Sequence, residues 1–383
     1  MESSEFKGAF GELVQKEDKK HGKYASFVPH KLPPEIEYTP KLVLSLSKAD
    51  STLSKLSGAG LLLPNPNLLM VPYLKKEAAS SSRIEGTIIS LSDYFLSEAK
   101  GIKKEDVEAT EVDNHIKSVN YALDKIKHDP INISLIKDMH KILMKNVRGD
   151  DLLPGNFRPV QNWIGPKNTK IQEATFVPPP KEDVERLVQE LIEYLDKYEE
   201  TPLLIKCALM HYQFETIHPF CDGNGRIGRA LITLYLCKKN KISKPLLYIS
   251  NYFEKHRREY YDILLTTNKT GKFEEWLRFF LEAIKVQSED ALDRTIKLEA
   301  LRESYIKQID SEKQVNNLLK VINGLFFNPF IQIRQVASQL KVTYPTAKKA
   351  ANTLVKLKIL KEAEDKERNK IFVAQDILNI ITI

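Results

Sequence analysis

The sequence predicts a mainly α-helical protein of two or three domains, and three observations support this. The chain has 383 residues, 42% hydrophobic and 28% charged, which is the composition of an ordinary globular protein with a sizeable core. Apolar residues recur at helical spacing over much of the chain, as at Val112, Ile116, Val119 and Leu123. Segments typical of β-strands are few and short, so we expect only small hairpins.

The N-terminal region, predicted to span residues 1–100, should contain two helices. Residues 1–35 are expected to be loosely ordered. Thr39-Pro40 then starts a helix in the favoured way, with a capping Thr followed by Pro at the first helical position. A second helix should run from about Asn67 to Gly86, since a glycine there can cap the helix C-terminus.

The central region, residues 101–298, should consist of helices and one β segment. Two short strands, 161–165 and 174–177, flank a polar loop and predict a hairpin, which by itself could be a surface decoration. A strongly apolar helix then begins at Thr201-Pro202 and leads to His218. His140 is expected to be a packing or surface residue rather than a ligand, and His211 is expected to pack rather than to catalyse.

Residues 299–383 differ in pattern from the rest of the chain. Short helices are expected over 315–326, 333–340 and 346–357, followed by strands near 359–363 and 370–374 around a polar turn at 365–369. A helix-turn-helix followed by a hairpin resembles a winged helix. Four lysines lie on or just after its second helix: Lys348, Lys349, Lys356 and Lys358. They are as compatible with protein contact or homodimer formation as with DNA contact.

The overall charge and the cysteines constrain partners and location only loosely. Lys and Arg exceed Asp and Glu by 58 − 51 = +7, which is compatible with nucleotide or nucleic-acid binding without requiring either. Cys207, Cys221 and Cys237 lack metal-ligand spacing and cannot all pair, which favours a reducing compartment. No stretch has the length of a membrane span and the N-terminus lacks the form of a signal peptide. We therefore expect a cytoplasmic protein with no membrane partner.

The run His218–Arg229, HPFCDGNGRIGR, concentrates the chemistry of the chain. Gly223-Asn224-Gly225 lets backbone N–H groups converge, because glycine adopts tight or left-handed conformations without a Cβ clash. The apolar pattern that follows predicts a helix. The turn should therefore lie at a helix N-terminus, where free N–H groups and the helix dipole favour an anion.

Four side chains around this turn suggest what the anion is. Arg226 and Arg229 lie three residues apart on the first helical turn, and guanidinium groups so placed suit phosphate oxygens. Asp222 is a hard oxygen ligand of the kind that binds Mg²⁺, and His218 can accept a proton near neutral pH. Together they predict a site that binds a polyphosphate with Mg²⁺ and activates a hydroxyl nucleophile. Phe220 is expected to anchor the loop in the core.

The run matches HxFx(D/E)GNGRxxR at every specified position and therefore resembles the signature of the Fic family. The resemblance implies a Fic-type helical core and transfer of AMP from ATP to a Ser, Thr or Tyr hydroxyl of a protein target, with release of pyrophosphate. His218 would be the general base, and Asp222 would hold Mg²⁺ between the α- and β-phosphates. The implied phosphate-binding residues are Gly223, Asn224 (including its side chain), Gly225, Arg226 for the β-phosphate and Arg229 for the γ-phosphate.

The end of the second predicted helix carries another pattern. On local grounds alone, Ser81–Gly86 is a helix terminus with solvated side chains. Ser81, Glu85 and Gly86 nevertheless fit Ser/Thr-x-x-x-Glu-Gly/Asn, the inhibitory motif of Fic proteins. The resemblance implies that Glu85 pairs with Arg229 and removes the guanidinium that should hold the γ-phosphate.

Two further assignments follow from the resemblance. The hairpin would be a flap that docks the target backbone as an extra strand, and its residues are Thr175, Phe176 and Val177.

A tyrosine pair at helical positions is usually core material. In the family, the equivalents flank the nucleobase, and the residues concerned here are Tyr260, Tyr261 and Asn268.

Two alternatives to AMP transfer onto a protein stay open. The same scaffold can transfer another phosphate-linked group or remove AMP. The chain could instead be a DNA-binding regulator whose Fic core senses nucleotide, although the intact His218 argues against a purely sensory site. The sequence does not identify the target protein or the signal that releases Glu85.

Overall fold

The computed structural model describes residues 3–6, 8–62, 67–103, 105–149, 151–166, 168–197, 200–363 and 370–383. The chain is mainly helical, as predicted, and its strands form two small antiparallel sheets. The helices before the central loop are α1 (Pro40–Leu62), α2 (Asn67–Ile84), α3 (Leu91–Lys100), α4 (Val107–Lys125), α5 (Ile133–Leu143), α6 (Val184–Lys197) and α7 (Leu203–Ile217). Those after it are α8 (Asn224–Lys238), α9 (Ser250–Lys255), α10 (Arg257–Thr270) and α11 (Glu274–Ile309).

The expectation of a loosely ordered N-terminus is wrong. Strands β1 (Gly11–Asp18) and β2 (Gly22–Pro29) pair antiparallel along their whole length. Apolar and polar residues alternate only weakly along these strands, because much of the contact made by their apolar side chains is with other parts of the chain. Phe27 is fully buried between Phe6 and Phe176, with ring centroids 5.5 and 5.8 Å away. The hairpin is therefore stabilised by residues that a local pattern does not reveal.

The core is built around α7, α8 and α11. Helices α7 and α8 pack against each other, and α1 and α7 both pack on α11. Trp276 of α11 is fully buried and donates from Nε1 to the carbonyl oxygen of Ala208 on α7, at 3.0 Å. Because α7 and α8 are buried on nearly all sides, the short loop that joins them is held between two fixed helix ends.

The predicted hairpin at 161–177 is much shorter than expected. Among the residues of this segment that the structure describes, one antiparallel bridge forms, between Ile164 and Phe176, with N–H to O distances of 2.8 and 3.0 Å. Three prolines, 178–180, follow directly, and proline cannot donate to a strand ladder. The segment is consequently a bridged loop rather than a pair of strands.

The C-terminal elements follow the predicted order. They are α12 (Val315–Phe327), β3 (Phe330–Gln332), α13 (Ile333–Leu340), α14 (Tyr344–Lys356), β4 (Lys361–Glu362), β5 (Ile371–Val373) and α15 (Gln375–Thr382). The three strands form a sheet in the order β3–β5–β4. The predicted turn at 365–369 lies outside the described residues. Helix α11 runs without a break across 298/299, and the domain boundaries stay predictions.

Within the described ranges, no helix combines the length and the apolar character needed to cross a membrane.

Candidate functional site

The loop between α7 and α8 is bracketed by two residues in left-handed conformation. His218 caps the C-terminus of α7 with φ 50°, and its N–H donates to the carbonyl oxygen of Phe214 at 3.0 Å. Gly223, with φ 77°, precedes the first residue of α8. A Cβ at this glycine would lie 3.0 Å from the sulfur of Met144, so both the backbone conformation and the neighbouring side chain favour glycine.

Asn224 closes the loop from inside. Its Oδ1 accepts the N–H of Phe220 at 2.8 Å, and its Nδ2 donates to the carbonyl oxygen of the same residue at 2.8 Å. Phe220 is fully buried, as predicted, and its ring stacks on His140 with centroids 3.8 Å apart. The expectation that the Asn224 side chain faces phosphate is therefore revised, since both its ends hold the loop.

His140 has a structural role that its sequence context does not reveal. It packs in the core, as expected, but its Nε2 also lies 2.9 Å from the carbonyl oxygen of Asp222, and its Nδ1 accepts the N–H of Gly155 at 2.9 Å. Burial lowers the pKa of His140 to about 4, so the ring is neutral near pH 7. His140 thus fixes the backbone beside Asp222 from a helix 82 residues earlier in the chain.

His218 presents one free ring nitrogen. Its Nδ1 lies 3.3 Å from the carbonyl oxygen of Glu215, and because a carbonyl only accepts, Nδ1 carries the proton in that contact. Burial, helped by the charge of Arg158, lowers the pKa of His218 to about 4. The ring is therefore neutral near pH 7, with Nε2 available as a proton acceptor. Arg158 also holds the loop, since its Nε donates to the carbonyl oxygen of His218 at 2.9 Å.

Asp222 is the exposed carboxylate of the loop. Its side chain is 38% exposed, and its Oδ1 accepts the N–H of Gly223 at 2.6 Å and lies 3.5 Å from Nη2 of Arg226. Across the part of the chain that the structure describes, no three His, Cys, Asp or Glu side chains gather into a metal-binding cluster. A single carboxylate nevertheless fits Mg²⁺, which is commonly held by one or two carboxylates together with substrate phosphates and water.

The N-terminus of α8 carries unpaired hydrogen-bond donors. The first backbone N–H groups of any helix lack intrahelical partners. Arg226 is buried, and its Nη2 contacts the sulfur of Met144 at 3.6 Å as well as Asp222. Its Nε has no hydrogen-bond partner among the described residues. A buried guanidinium with an unused donor beside a helix N-terminus is suited to bind an anion.

The guanidinium group of Arg229 is hydrogen-bonded to residues at the end of α2. It is fully buried, its Nε donates to Oγ of Ser81 at 2.9 Å, and its Nη2 donates to Oε1 of Glu85 at 2.6 Å. Burial by itself would raise the pKa of Glu85 and lower that of Arg229, but the ion pair outweighs it and moves each pKa the other way. Gly86, with φ 98°, ends the helical segment that carries this carboxylate.

Comparison with known proteins identifies the domain. Residues 130–236 match the Fic/DOC family, and residues 43–124 match the Fic/DOC family N-terminal region. The chain carries a Fic domain.

Relatives of known name support this identification over part of the chain. Protein adenylyltransferase fic-1 of Caenorhabditis elegans is 27% identical over 224 residues, covering 56% of this chain and 39% of that protein. Protein adenylyltransferase Fic of Aedes aegypti is 28% identical over 158 residues, covering 41% of this chain and 28% of that protein. The chain therefore spans well under half the length of these relatives.

A solved structure shares the fold. The crystal structure of a Fic family protein from Desulfovibrio desulfuricans G20 superposes with a TM-score of 0.58, at 19% identity, over 90% of this chain and 98% of that one. At this identity the likeness concerns the fold alone.

The residues expected to flank a nucleobase are only partly accessible in the structure. Tyr260 is fully buried and its hydroxyl lies 2.8 Å from Nε2 of His211, while Asn268 accepts hydrogen bonds from Tyr212 and Thr216 inside the core. Both side chains already have hydrogen-bond partners inside the core, so the expectation that they face the base is revised. Tyr261, which is 41% exposed, offers ring surface beside Arg229.

The flap of the Fic domain is partly covered by the N-terminal hairpin. Thr175 is exposed, whereas Phe176 and Val177 are buried. The carbonyl oxygen of Val177 accepts the N–H of Phe27 at 2.9 Å, and Oγ of Ser26 donates to the carbonyl oxygen of Pro178 at 2.5 Å. Strand β2 thus lies against the flap, a contact that sequence reasoning missed because it joins residues about 150 positions apart.

Proposed function

We propose that this chain is a protein adenylyltransferase that moves AMP from ATP to a Ser, Thr or Tyr hydroxyl of a protein target and releases pyrophosphate. The observation that carries the proposal is the convergence at one short loop of a neutral imidazole, an exposed carboxylate, a helix N-terminus and two buried guanidinium groups. The names of the curated relatives support the same reaction.

His218 is proposed as the general base. With its Nδ1 donating to the carbonyl oxygen of Glu215, its Nε2 accepts the proton of the target hydroxyl. The hydroxyl oxygen then forms a bond to the α-phosphorus, and the bond from that phosphorus to the oxygen bridging to the β-phosphate breaks. The pyrophosphate takes that electron pair away. The low pKa of His218 keeps the base ready at neutral pH, because no proton has to be removed from the ring first.

The phosphate chain of ATP is proposed to lie along the start of α8. The backbone N–H groups at the start of α8, those of Asn224 and Gly225, would stabilise the charge that develops on the α-phosphate, while the N–H of Gly223 donates to Asp222. Arg226 meets the β-phosphate with its unused Nε, and Arg229 meets the γ-phosphate once Glu85 releases it. Asp222 would hold Mg²⁺ together with the phosphate oxygens, and the bound ion would neutralise part of their charge.

Glu85 is proposed as an inhibitory residue. It is bonded to Arg229 at 2.6 Å, so the guanidinium cannot reach a γ-phosphate while the pair persists. The experiment that tests this compares wild type with Glu85→Gly, using transfer of label from α-phosphate-labelled ATP to protein in a cell extract. We expect an increase on the order of a hundredfold for Glu85→Gly, comparable to the effect of one preorganised donor at a transition state. Equal labelling by the two proteins would refute the inhibitory role.

The flap is proposed to dock the target. The exposed Thr175 is the position from which backbone groups are available to an added strand. Because β2 already occupies the carbonyl of Val177, the docking surface would combine the flap with the N-terminal hairpin. Tyr261 is the proposed contact to the adenine.

A second function is favoured by one observation on the C-terminal elements. Helix α14 contains no acidic residue, and Lys348, Lys349 and Lys356 are all exposed on it. This supports a winged-helix module that contacts DNA, with the Fic core as a nucleotide sensor. DNA binding that weakens steeply with salt and survives His218→Ala would favour the sensor; self-association or protein capture without DNA binding would point to a dimer or protein contact instead.

A further inference from the structure

The carboxylate of a second glutamate, Glu215 of α7, lies at the same face of α8 as that of Glu85. Gly225 and Gly228 lie three residues apart, on one face of α8. A Cβ at Gly225 would lie 2.6 Å from Nη1 of Arg229 and in collision with Oε1 of Glu85. A Cβ at Gly228 would collide in the same way with Oε1 of Glu215. The two glycines therefore make room for two carboxylates, one from α2 and one from α7, at the same face.

Glu215 differs from Glu85 in having no partner for its inner oxygen. Its Oε1 is buried and has no hydrogen bond among the residues that the structure describes. The groups that face it are Arg229 from α8, Glu85 from α2, His211 from its own helix, and Tyr260 and Tyr261 from α10. Arg229 is the cation in this set, and His211 is kept neutral by burial, which lowers its pKa to about 3.

We propose that Glu215 is a positioning residue for the transfer reaction, because it becomes the carboxylate partner of Arg229 when Glu85 moves away. The inference rests on the proposed function, in which Arg229 must be freed for the γ-phosphate. A fully buried guanidinium without an anionic partner is strongly unfavourable, so a second carboxylate stabilises Arg229 after Glu85 leaves and before the phosphate binds. Glu215 already lies at this face of α8 with an Oε1 that has no hydrogen bond among the described residues, so it can accept from the guanidinium once Glu85 leaves. The other edge of the guanidinium then stays available to the phosphate.

The charges explain why the exchange occurs in this order. Burial, reinforced by the nearby charge of Glu85, raises the pKa of Glu215 to about 8, so Glu215 is mostly protonated at pH 7 while Glu85 is paired. Loss of the Glu85 charge removes that repulsion and lowers the pKa of Glu215. The carboxylate then ionises beside Arg229, and one ion pair replaces the other.

The test compares Glu215→Gln in two backgrounds, wild type and Glu85→Gly, by calorimetric ATP affinity and by KM and kcat. In the Glu85→Gly background we expect Glu215→Gln to weaken ATP affinity and raise KM by about tenfold, the value of one charged hydrogen bond, with kcat changing less. Glu215→Asp should recover most of that loss. In wild type the same substitution should change ATP affinity by less than about twofold, because Glu85 already holds Arg229.

A pH profile separates positioning from simple packing. In Glu85→Gly, kcat/KM should fall as the pH drops through the pKa of Glu215, because the protonated carboxyl cannot hold Arg229 as an ion pair. This limb should be absent from Glu85→Gly/Glu215→Gln. Glu77→Gln is the matched control: Glu77 is also a buried glutamate with a pKa raised by burial, to about 7, but it is bonded to Ser250. In the Glu85→Gly background this control should keep the limb.

Two outcomes would overturn the inference. One is an unchanged KM and pH limb in Glu85→Gly/Glu215→Gln; the other is an equal loss in both backgrounds, which indicates a structural role only. Should Glu215→Gln fail to fold, Gly228→Ala displaces the carboxylate without removing it and should give the same rise in KM. ATP binding without any transfer by Glu85→Gly would refute the transferase while the affinity comparison still decides on Glu215.

Discussion

The α7–α8 loop and the flap are both short loops beside the same site, yet they are stabilised in different ways. The loop is closed by its own residues, since Asn224 bonds both backbone groups of Phe220 and Gly223 bonds Asp222. The flap has a single bridge, and its buried side chains pack on a hairpin from the beginning of the chain. The comparison indicates that the chemical groups are fixed locally, whereas the surface proposed for the target is assembled from distant segments.

The largest expected effect is at the proposed base. In the Glu85→Gly background, His218→Ala should reduce AMP transfer by roughly 10²- to 10⁴-fold, the usual contribution of a general base. Labelling from α-phosphate-labelled ATP measures it. Cys221→Ser is the matched control, because Cys221 lies in the same loop with a half-buried thiol and no assigned role. Comparable loss in both variants would mean that any change in the loop is harmful and that His218 has no special function.

The next effect tests whether the loop is held from within. Asn224→Ala removes both hydrogen bonds to the Phe220 backbone and leaves the N–H of Phe220 unpaired, while the carbonyl oxygen keeps the bond from Nδ2 of Asn162 at 3.2 Å. We expect the free energy of unfolding to fall by about 1–3 kcal/mol, the cost of one unpaired buried group, and transfer to fall with it. Urea unfolding measures the first quantity. A variant as stable as wild type would show that the packing of Phe220 alone fixes the loop.

A substitution in the N-terminal hairpin, which packs on the flap, should leave nucleotide binding unchanged. Phe27→Ala empties the centre of the small cluster of Phe6, Phe27 and Phe176 and should lower the free energy of unfolding by about 3 kcal/mol, the low end for a buried phenylalanine. Because the loop does not depend on this cluster, calorimetric ATP affinity should stay near that of the parent while labelling of protein targets falls. Loss of ATP affinity would show that the flap and the loop are one cooperative unit.

The smallest effect is the response to mild acid. Burial lowers the pKa of His140 and His218 to about 4, and that of His115 and His211 to about 3. The unfolded chain therefore binds more protons at these four rings below about pH 6.5, the ordinary pKa of histidine, and their contribution to stability declines as the pH falls from there towards 3. Glu77 and Glu215, whose pKa values burial raises to about 7 and about 8, contribute the opposite change above about pH 4.5, and the four histidines outweigh them below about pH 6.5. Urea unfolding at pH 7 and pH 6 should show a small decline. A flat profile would mean that these rings are not buried as neutral species.

The sequence identified the groups of the loop because they are neighbours in the chain. A single run carried His218, Asp222 and both arginines, and the structure brings Glu85 to Arg229. Three supports escaped prediction: His140, Arg158 and Asn162 reach the loop from 82, 60 and 58 residues away. Nothing in their own surroundings distinguishes them from ordinary core or surface residues.

In the fold as well, elements defined by local sequence patterns were predicted, and elements that depend on distant residues were not. Helices with strong apolar spacing were predicted to within a few residues, as for α4 and α7. The N-terminal hairpin was missed because its polar strands take their apolar contacts from Phe6 and Phe176. The number of residues able to contact the nucleobase was overestimated. Tyr260 and Asn268 are buried by the packing of α10 on α7, and this packing cannot be read from residue spacing alone.

The most direct test of the central claim is to follow both ends of ATP. Glu85→Gly protein is incubated with cell extract in two parallel reactions, one with label on the α-phosphate and one with label on the γ-phosphate. We expect protein to acquire the α-label and not the γ-label. We also expect His218→Ala in the same background to abolish labelling of protein by the α-phosphate. Transfer of the γ-label, or α-labelling that survives His218→Ala, would contradict the proposal that His218 activates a hydroxyl for attack on the α-phosphorus.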